Sequence, residues 1–367
     1  MAERAAPLET EIRRLIALAG PMPVSQFMAL CLCHPVHGYY TTHDPLGSDG
    51  DFTTSPEISQ MFGELVGLWA AAVWHQMGAP PQVRLIELGP GRGTMMLDML
   101  RAAHVMPDFR KAAAVHLIET SPALLQRQRE TLGKADVTIV WHDALADVPD
   151  GPAIIIANEF FDALPLNQAV KLEDGWHERV IALDPKGNLV FAVGPEPFKF
   201  FEQTLPPPAR TAGVGSIFEW RADAYTLEVA RRVVRGGGGA LIIDYGHLES
   251  MVGDTFQAMR ARRKSDPLAA PGFSDVTAHV DFQALAQVAE GMGARVHGPI
   301  DQGTLLRRLG IEQRATNLKK VAPPDKAAAV DLALARLTAG GKTGMGSMFK
   351  AIGLSAPQLT ALPGFDI

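Results

Sequence analysis

The chain has 367 residues, of which 47% are hydrophobic and 20% are charged, a composition that can bury a sizeable core without metal or disulfide staples. The formal net charge of -6 argues against broad electrostatic binding to nucleic acid, because such binding depends on neutralising phosphates with Lys and Arg. No stretch approaches the roughly 18 uninterrupted apolar residues of a membrane span. The two cysteines, Cys31 and Cys33, indicate no oxidising compartment, so we expect a cytoplasmic protein.

The N-terminal part of the chain predicts helices on either side of a turn-rich segment. Apolar residues recur at helical spacing over residues 10–32 and again from Phe62 to Gln76. Within the intervening segment, Ser55 followed by a proline predicts a helix start with Ser55 as the N-cap. We expect residues 1–80 to form a helical region that covers the cofactor and substrate. Its first residues do not resemble a transit peptide, which fits a bacterial protein.

From residue 83 onward, short apolar runs alternate with helical patterns. The runs extend from Val83 to Leu88, Val115 to Glu119, Val137 to Trp141, Ala153 to Ala157 and Ala240 to Ile243. Such uniformly apolar runs are typical of strands buried on both faces, and their alternation with helices indicates the α/β class. We therefore predict a mostly parallel, Rossmann-like sheet with helices on both faces, formed by residues 81–367.

Two insertions interrupt this alternation, at about residues 165–220 and 246–282. The first contains two strand-like runs around a turn, which predict a hairpin, and then a proline-rich loop from Pro195 to Pro208. The second is predicted to be a polar loop. Near the C-terminus, the apolar run from Met348 to Leu354 could add an antiparallel strand at the edge of the sheet.

A glycine-rich loop after the first predicted strand is the clearest sign of a ligand site. The strand ends near Glu87, and Gly89, Gly91 and Gly93 follow before a helix predicted from Thr94. Glycines allow a sharp turn and close approach to a ligand, and the helix N-terminus offers free N–H groups. In a nicotinamide fingerprint the third glycine comes three positions after the second, whereas here it comes after two. This spacing, together with Glu87, resembles the first motif of class I methyltransferases, whose loop cradles the amino-acid part of S-adenosylmethionine.

Two further acids follow the next predicted strands. Glu119 closes the second strand, where a carboxylate can accept hydrogen bonds from both ribose hydroxyls. Asp143 follows the third strand, and its counterpart in class I methyltransferases contacts the adenine amino group. Each acid alone has an ordinary structural interpretation as a helix cap or a loop carboxylate. Together with Glu87, however, they lie in register with the sheet and favour a cofactor site.

Two distant segments carry a more specific resemblance. The first runs from Gly50 to Glu64 and begins Gly-Asp-Phe-Thr-Thr-Ser-Pro-Glu, and the second runs from Asn158 to Pro165. They resemble the MidA family, whose mitochondrial members are protein arginine methyltransferases that assist assembly of respiratory complex I. The resemblance continues through Cys31 to Tyr40, Asp244 to His247, Thr277 to Phe282 and Met345 to Lys350. It implies that S-adenosyl-L-methionine is the cofactor and that the partner is a protein, the forty-nine-kilodalton-type subunit of complex I, with symmetric dimethylation of one arginine.

Methyl transfer to arginine requires groups that orient and polarise a guanidinium, because arginine stays protonated and has no free lone pair. Carboxylates after the fourth strand could hold the guanidinium bidentately and take up its proton. Glu159 is the first candidate, with Asn158 positioning it and Asp162 as a second carboxylate. Their structural alternatives are a surface helix charge for Glu159 and an N-cap for Asp162. The family resemblance adds His279.

The candidate cofactor ligands also include Thr54 and Asn158. Tyr39, Tyr40 and Phe52 could form an aromatic lid over a cation, or could simply be packing residues. Cysteines and histidines between residues 31 and 37 match no common closed zinc site, so no metal is expected. Two alternatives to a protein methyltransferase stay open: an enzyme that methylates a small molecule, and a non-catalytic assembly factor that retains the cofactor fold.

Overall fold

The computed structural model describes residues 6–42, 54–133, 135–341 and 344–365. Within these residues the helices are α1 (Pro7–Ala19), α2 (Val24–Cys33), α3 (Tyr39–Thr42), α4 (Ser55–Ile58), α5 (Gln60–Gln76), α6 (Thr94–Ala102), α7 (Pro107–Ala112), α8 (Pro122–Leu132), α9 (Phe201–Thr204), α10 (Pro207–Arg210), α11 (Ala224–Gly236), α12 (Phe282–Gly291), α13 (Gln302–Arg308), α14 (Ile311–Val321), α15 (Pro324–Thr338) and α16 (Met345–Met348). No helix in these ranges combines the length and apolarity needed to cross a bilayer.

The strands described in the same residues are β1 (Met22–Pro23), β2 (Val83–Leu88), β3 (Ala113–Ile118), β4 (Ile139–His142), β5 (Ala153–Asn158), β6 (Leu166–Leu172), β7 (Gly175–Leu183), β8 (Leu189–Pro197), β9 (Ile217–Arg221), β10 (Gly238–His247), β11 (Gln257–Arg260), β12 (Arg263–Ser265), β13 (Asp275–Thr277), β14 (Val280–Asp281), β15 (Arg295–Asp301) and β16 (Phe349–Ser355).

The central sheet has the strand order β4-β3-β2-β5-β10-β16-β15. β2 pairs in parallel with β3 and with β5, and β5 pairs in parallel with β10. β14 adds a short parallel pairing at the carboxyl end of β10. The prediction of an α/β fold with a mostly parallel sheet is therefore confirmed.

Alternate side chains of the central strands enter cores on opposite faces of this sheet. Leu85 and Ile156 pack in one core with α5, α6 and the C-terminal helices. Their chain neighbours Ile86 and Ile155 pack in the other core with α11 and α12. Because successive side chains of a strand point to opposite faces, strands covered on both sides need apolar residues at nearly every position.

Helix α5 lies unusually close to α6. A Cβ added to Gly67 would lie 2.7 Å from the Cα of Met99, and one added to Gly63 would lie 2.7 Å from the Cβ of Asp98. Both glycines are therefore required by the close approach of the two helices. Since α6 begins directly after the glycine-rich loop, this contact also holds that loop in place.

The first insertion forms a separate antiparallel sheet. β7 and β8 make the predicted hairpin, while β6 lies between β7 and β9. β1, from the N-terminal region, pairs with β7. Leu8 and Phe27 of the N-terminal helices share a core with Ile181 of this sheet and with Val276 of the second insertion. Helices α1 and α2 and both insertions thus pack together in a core of their own.

Two expectations for the N-terminal region are wrong. Residues 10–32 form two helices instead of one, because α1 ends at Ala19 with Gly20 as its C-cap, at a φ of 90°, and Met22 and Pro23 pair with β7. Ser55 is the first residue of α4, whose N-cap is the extended residue Thr54.

Three expectations for the later elements are also wrong. The apolar run near the C-terminus forms β16, which pairs antiparallel with both β10 and β15 and so lies inside the sheet instead of at its edge. The segment 246–282 is not simply a polar loop, since it contains the small sheet β12-β11-β13 and the short strand β14. The proline-rich stretch contains the end of β8 and the short helices α9 and α10.

Candidate active site

A cavity of about 450 Å³ lies at the carboxyl ends of β2, β3 and β5. This edge of a parallel sheet is where ligands bind in open α/β folds. Residues of the N-terminal region, the strand ends and the second insertion contribute to its wall. Of the residues proposed from the sequence, the wall contains Thr54, Glu87, Gly89, Gly91, Glu119, Asp143, Asn158, Glu159 and Asp162.

The glycine-rich loop adopts backbone conformations that favour glycine. Gly89, Gly91 and Gly93 have φ values of 61°, 54° and 82°. A Cβ on Gly89 would lie 2.7 Å from the ring of Phe160, so no larger residue fits there without a shift of that ring. Gly93 precedes α6, is buried near Leu132 and is not part of the cavity wall. Its contribution is therefore to the turn and not to the lining.

Glu87 brings a buried carboxylate to the cavity. Its Oε2 atom has no hydrogen-bond partner among the described residues, and the same is true of Oδ1 of Asn158. Burial raises the pKa of Glu87 to about 8. A buried acceptor without a donor is costly, and a ligand that carries donors removes this cost. The amino group and ribose hydroxyls of S-adenosyl-L-methionine are donors of this kind, so these residues fit that cofactor.

Gln128 of α8 connects the glycine-rich loop to the second acid. Its Nε2 donates to the backbone oxygen of Gly91 at 2.8 Å and to Oε2 of Glu119 at 3.0 Å, and its Oε1 accepts from Nε1 of Trp141 at 2.9 Å. Glu119 also accepts from the backbone N–H of Ser121 at 2.8 Å. Burial raises the pKa of Glu119 despite these bonds. Gln128 was not among the residues predicted from the sequence, although its position on the buried face of an amphipathic helix could have indicated it.

Asp143 and Thr54 lie in the wall of the same cavity. Asp143 is exposed and lies directly after β4, which is the third strand predicted from the sequence. Thr54 precedes α4, and Glu57 of that helix accepts a hydrogen bond from Oγ1 of Thr94 at 2.6 Å. This bond ties the N-terminal segment to the start of α6.

Glu159 follows β5 in a left-handed backbone conformation, with a φ of 52°. Its Oε1 accepts hydrogen bonds from the backbone N–H of Ser55 at 2.8 Å and from Nδ2 of Asn158 at 3.2 Å. Burial raises its pKa to about 7, and the nearby charge of Asp162 acts in the same direction. The two segments that carry the family resemblance therefore meet at this carboxylate. The alternative of a surface helix charge does not describe Glu159, which lies outside any helix.

Asp244, at the end of β10, fixes the backbone of the loop that follows Glu159. Its Oδ2 accepts from the N–H groups of Phe160 at 3.1 Å, Phe161 at 2.8 Å and Asp162 at 3.2 Å. Asp244 is fully buried, and this burial raises its pKa well above the usual range. Its side chain therefore fixes the backbone of this loop through three hydrogen bonds.

Arg221 of the first insertion fixes the same loop from the other side. Its guanidinium donates to the backbone oxygens of Asp162 at 3.1 Å, Leu164 at 3.2 Å, Ala278 at 2.7 Å and His279 at 2.7 Å. Burial raises the pKa of Asp162 to about 6, while the positive charge of Arg221 opposes that rise. The sequence offered no signal for Arg221, because its partners are main-chain oxygens from two distant segments.

His279 lies in the wall of a second cavity, of about 560 Å³, next to Arg221 and Trp220. Its ring centroid is 4.7 Å from that of Tyr245 in an edge-on contact. Burial, together with the nearby His247, lowers the pKa of His279 to about 4, so its ring is neutral at physiological pH. The structure therefore separates this side chain from the cavity that contains Glu159.

Of the three aromatic residues predicted to form a lid, Tyr39 and Tyr40 lie in different surroundings. Tyr40 lies in the first cavity, with its hydroxyl 3.2 Å from Oδ1 of Asp275, whereas Tyr39 is buried in the adjoining core. Phe52 lies outside the described residues. Cys31 is buried and Cys33 is exposed at the cavity, and the described part of the chain contains no group of three His, Cys, Asp or Glu side chains that could hold a metal ion.

Comparison with known proteins agrees with this geometry. A family model described as "Putative S-adenosyl-L-methionine-dependent methyltransferase" matches residues 65–300. The Drosophila melanogaster protein arginine methyltransferase NDUFAF7 homolog, mitochondrial, is 35% identical over 96% of this chain and 86% of its own length. The Homo sapiens protein arginine methyltransferase NDUFAF7, mitochondrial, is 36% identical over 84% of this chain and 74% of its own length.

A solved structure is similar over the whole chain. A protein from Burkholderia thailandensis bound to S-adenosyl-homocysteine superposes with a TM-score of 0.82 at 28% sequence identity, covering 100% of this chain and 98% of that one. The family model covers more than half of this chain, and the two relatives match most of it at an identity that establishes common descent. The chain therefore belongs to this family of S-adenosyl-L-methionine-dependent methyltransferases, which is the MidA family that its two distant segments resemble.

Proposed function

We propose that this methyltransferase transfers a methyl group from S-adenosyl-L-methionine to an arginine side chain of a protein. The carboxyl groups of Glu159 and Asp162 line the same cavity as Glu87 and Glu119, and this single observation carries the proposal. A guanidinium is planar and cationic, and paired carboxylates are its preferred partners. The names of the Drosophila and human relatives, both protein arginine methyltransferases, support the same substrate class.

We assign the cofactor to the end of the cavity formed by β2 and β3. The backbone of Gly89 and Gly91 allows the loop to approach it, with Gly93 shaping the turn, while Glu87 offers an unpaired acceptor to its amino group. Glu119, held by Gln128, would accept hydrogen bonds from its ribose, and Asp143 would contact its adenine. Asn158 and Thr54 would add further contacts to it. The cofactor would supply an activated methyl group on a sulfonium, and residues of the chain would bind and orient the two reactants.

We assign the substrate guanidinium to the end formed by the loop after β5. Glu159 and Asp162 would hold it from the side away from the methyl group and fix the direction of the attacking nitrogen. As the N–C bond forms, that nitrogen gives up one proton, which the carboxylate of Glu159 accepts. Asn158 keeps this carboxylate oriented through its 3.2 Å hydrogen bond. For His279 we propose a supporting role, because its backbone oxygen accepts from the arginine that holds the Asp162 backbone.

The substrate that we propose is the forty-nine-kilodalton-type subunit of respiratory complex I, with symmetric dimethylation of one arginine in support of complex assembly. The resemblance to the MidA family supports this choice. The eukaryotic relatives are named as mitochondrial. For this chain we propose action in the bacterial cytoplasm, where such a subunit is synthesised.

The test combines the purified chain, S-adenosyl-L-methionine and this complex I subunit in recombinant form, with mass spectrometry of the subunit. We expect a gain of two methyl groups on one arginine. Glu159→Gln keeps the size of the side chain but removes the carboxylate, and it should lower the transfer rate by about 100-fold or more. The matched control is Glu130→Gln, on the exposed face of α8, which should react at the wild-type rate.

The outcomes separate the proposal from its rivals. Full transfer by Glu159→Gln would remove Glu159 from the mechanism. Binding of S-adenosyl-homocysteine without transfer to the subunit would remove the substrate and favour either a small-molecule methyltransferase or a non-catalytic assembly factor. A small-molecule methyltransferase would transfer a labelled methyl group to a component of a protein-free cell extract, whereas a non-catalytic assembly factor would not.

A further inference from the structure

A buried hydrogen-bonded chain connects Glu159 to the C-terminal helices. Ser55 donates its backbone N–H to Oε1 of Glu159 at 2.8 Å, and its hydroxyl donates to Oε1 of Gln302 at 3.3 Å. Nε2 of Gln302 donates in turn to the backbone oxygen of Leu337 at 3.0 Å. The chain of contacts therefore runs from β5 through α4 and α13 to α15.

Both intermediate residues are completely buried, since Ser55 and Gln302 have 0% of their surface exposed. Burying an amide and a hydroxyl costs free energy that hydrogen bonds only offset, whereas apolar residues of similar size would pack without this cost. Packing alone therefore does not explain polar residues at these positions. The hydrogen bonds of these two residues hold the Glu159 carboxylate and the backbone of α15 in place.

The elements around Gln302 hold it firmly. It is the first residue of α13, and the preceding Asp301 accepts a hydrogen bond from Nζ of Lys350 at 2.7 Å. A Cβ on the next residue, Gly303, would lie 2.5 Å from the backbone oxygen of Thr338, so α13 and α15 are in close contact. The side chain of Gln302 thus projects from a fixed base toward α4.

The opposite end of the chain of contacts is α4, which has only four residues. Its N-cap Thr54 makes no side-chain capping hydrogen bond, and Glu57 anchors the later part of the helix by accepting from Oγ1 of Thr94 at 2.6 Å. The position of the Ser55 N–H, at the start of the helix, therefore depends in part on what holds the Ser55 side chain. Gln302 is the partner that the structure provides for its hydroxyl.

We propose that Gln302 is a positioning residue for methyl transfer, which acts through Ser55 to hold the Glu159 carboxylate in the orientation that receives the guanidinium. This inference rests on the proposed function of Glu159. It adds that the C-terminal helices, whose described residues contribute nothing to the cavity wall, take part in setting the geometry of the reaction. Ser55 connects these helices to Glu159, because it contacts both Gln302 and the Glu159 carboxylate.

The electrostatic consequence has a definite direction. Hydrogen bonds donated to a carboxylate favour its charged form, and the bonds from Ser55 lower the pKa of Glu159 against the effect of burial. Loosening Ser55 weakens them, so the pKa of Glu159 rises. The acidic limb of the pH–rate profile then moves to higher pH, a change that simple loss of folded protein does not produce.

The experiment measures methyl transfer to the same complex I subunit by wild type, Gln302→Met, Ser55→Ala and the double variant, with active protein counted by titration with S-adenosyl-homocysteine. We expect each single variant to lose about tenfold in kcat, with cofactor affinity within about twofold of wild type. The acidic limb should move upward in both. The double variant should be no slower than the slower single variant, because both break one connection.

Gln168→Met is the matched control, because Gln168 is also a buried, hydrogen-bonded glutamine but lies in the first-insertion sheet. It should leave kcat and the pH profile unchanged per active molecule. Wild-type kcat in both Gln302→Met and Ser55→Ala, or strictly multiplicative losses in the double variant, would overturn the inference. If Gln302→Met does not fold, Gln302→Asn decides in its place, since it keeps the amide but withdraws it from Ser55 and leaves the Ser55 side chain intact. Absence of transfer by wild type would instead count against the proposed function.

Discussion

Glu159 combines two properties that are unusual for a glutamate. Its φ of 52° lies in the left-handed region, which non-glycine residues rarely adopt outside turns and functional sites. Burial also holds its pKa at about 7, so that near neutral pH the group exists in both protonation states. A carboxyl group of this kind can bind a cation and exchange a proton without a large energetic cost in either direction.

The raised pKa values predict how methyl transfer depends on pH. Burial raises the pKa of Glu159 to about 7 and the pKa of Asp162 to about 6, and only their charged forms attract a guanidinium. Because both pKa values are raised, the active charged forms are lost as the pH falls through this range. We expect kcat/KM to rise between about pH 5.5 and about pH 8 and then to level off. A profile that is flat across neutrality in steady-state assays would contradict this assignment.

Residues with local signals could be predicted from the sequence, whereas residues with distant partners could not. Glu87, Glu119 and Glu159 follow apolar runs, and the carboxyl ends of parallel strands meet at one edge. Arg221 instead binds main-chain oxygens far away in sequence, and no spacing along the chain reports that. His279 was proposed from family resemblance, and the fold places its side chain in a different cavity.

At the scale of elements, the loop after β5 owes its shape to neighbours on both sides. β10 supplies the carboxylate of Asp244 and β9 supplies the guanidinium of Arg221, and together they bind its N–H and C=O groups. The glycine-rich loop is held in a similar way by α8 through Gln128 and by α5 through the close contact with α6. Both loops are therefore positioned before any ligand arrives.

The contact between α5 and α6 gives a prediction at this scale. Gly67→Val inserts side-chain atoms where a Cβ already lies 2.7 Å from the Cα of Met99, so α6 must move. We expect the free energy of unfolding in urea to fall by about 2 kcal/mol and the affinity for S-adenosyl-homocysteine to fall as well. Leu68→Ala, one residue away on the exposed side of α5, should cost less than about 1 kcal/mol and leave affinity unchanged. Equal affinities in the two variants would show that α6 does not transmit the change.

The pattern of the strands was predictable because it depends on burial, but the order of the strands was not. β2 and β5 are apolar at most positions because helices cover both of their faces. β16 has the same character, which fits its interior place between β10 and β15, yet nothing in its periodicity identifies its neighbours. The single predicted helix over residues 10–32 failed because a short strand fits between α1 and α2 without disturbing the apolar spacing.

At the scale of the whole molecule, the first cavity is a place where separate parts of the chain meet. Tyr40 belongs to the N-terminal region, Glu87 to the central sheet and Asp275 to the second insertion, and all three line it. The N-terminal helices α1 and α2 and the insertions share a core that is distinct from the two cores of the central sheet. A ligand in this cavity therefore contacts parts of the molecule that otherwise pack separately.

This arrangement predicts a distributed response to the cofactor product. S-adenosyl-homocysteine should slow hydrogen exchange at the glycine-rich loop and also in α3, since Tyr40 and Thr41 line the same cavity. At a free concentration of one hundred times Kd, it should stabilise the folded chain by about 2.7 kcal/mol. Gly91→Val should abolish both effects. Protection confined to the glycine-rich loop, measured by mass spectrometry, would show that the N-terminal region does not close on the ligand.

The interior position of β16 has a consequence for how the protein is made. β10 and β15 are separated by a gap that residues 349–355 fill, and these residues leave the ribosome after the other described strands. Until then both strands present open rows of main-chain donors and acceptors beside apolar faces, which is the surface on which nascent chains aggregate. A stop codon or a bulky fusion placed just before this strand would therefore lower the yield of soluble protein sharply.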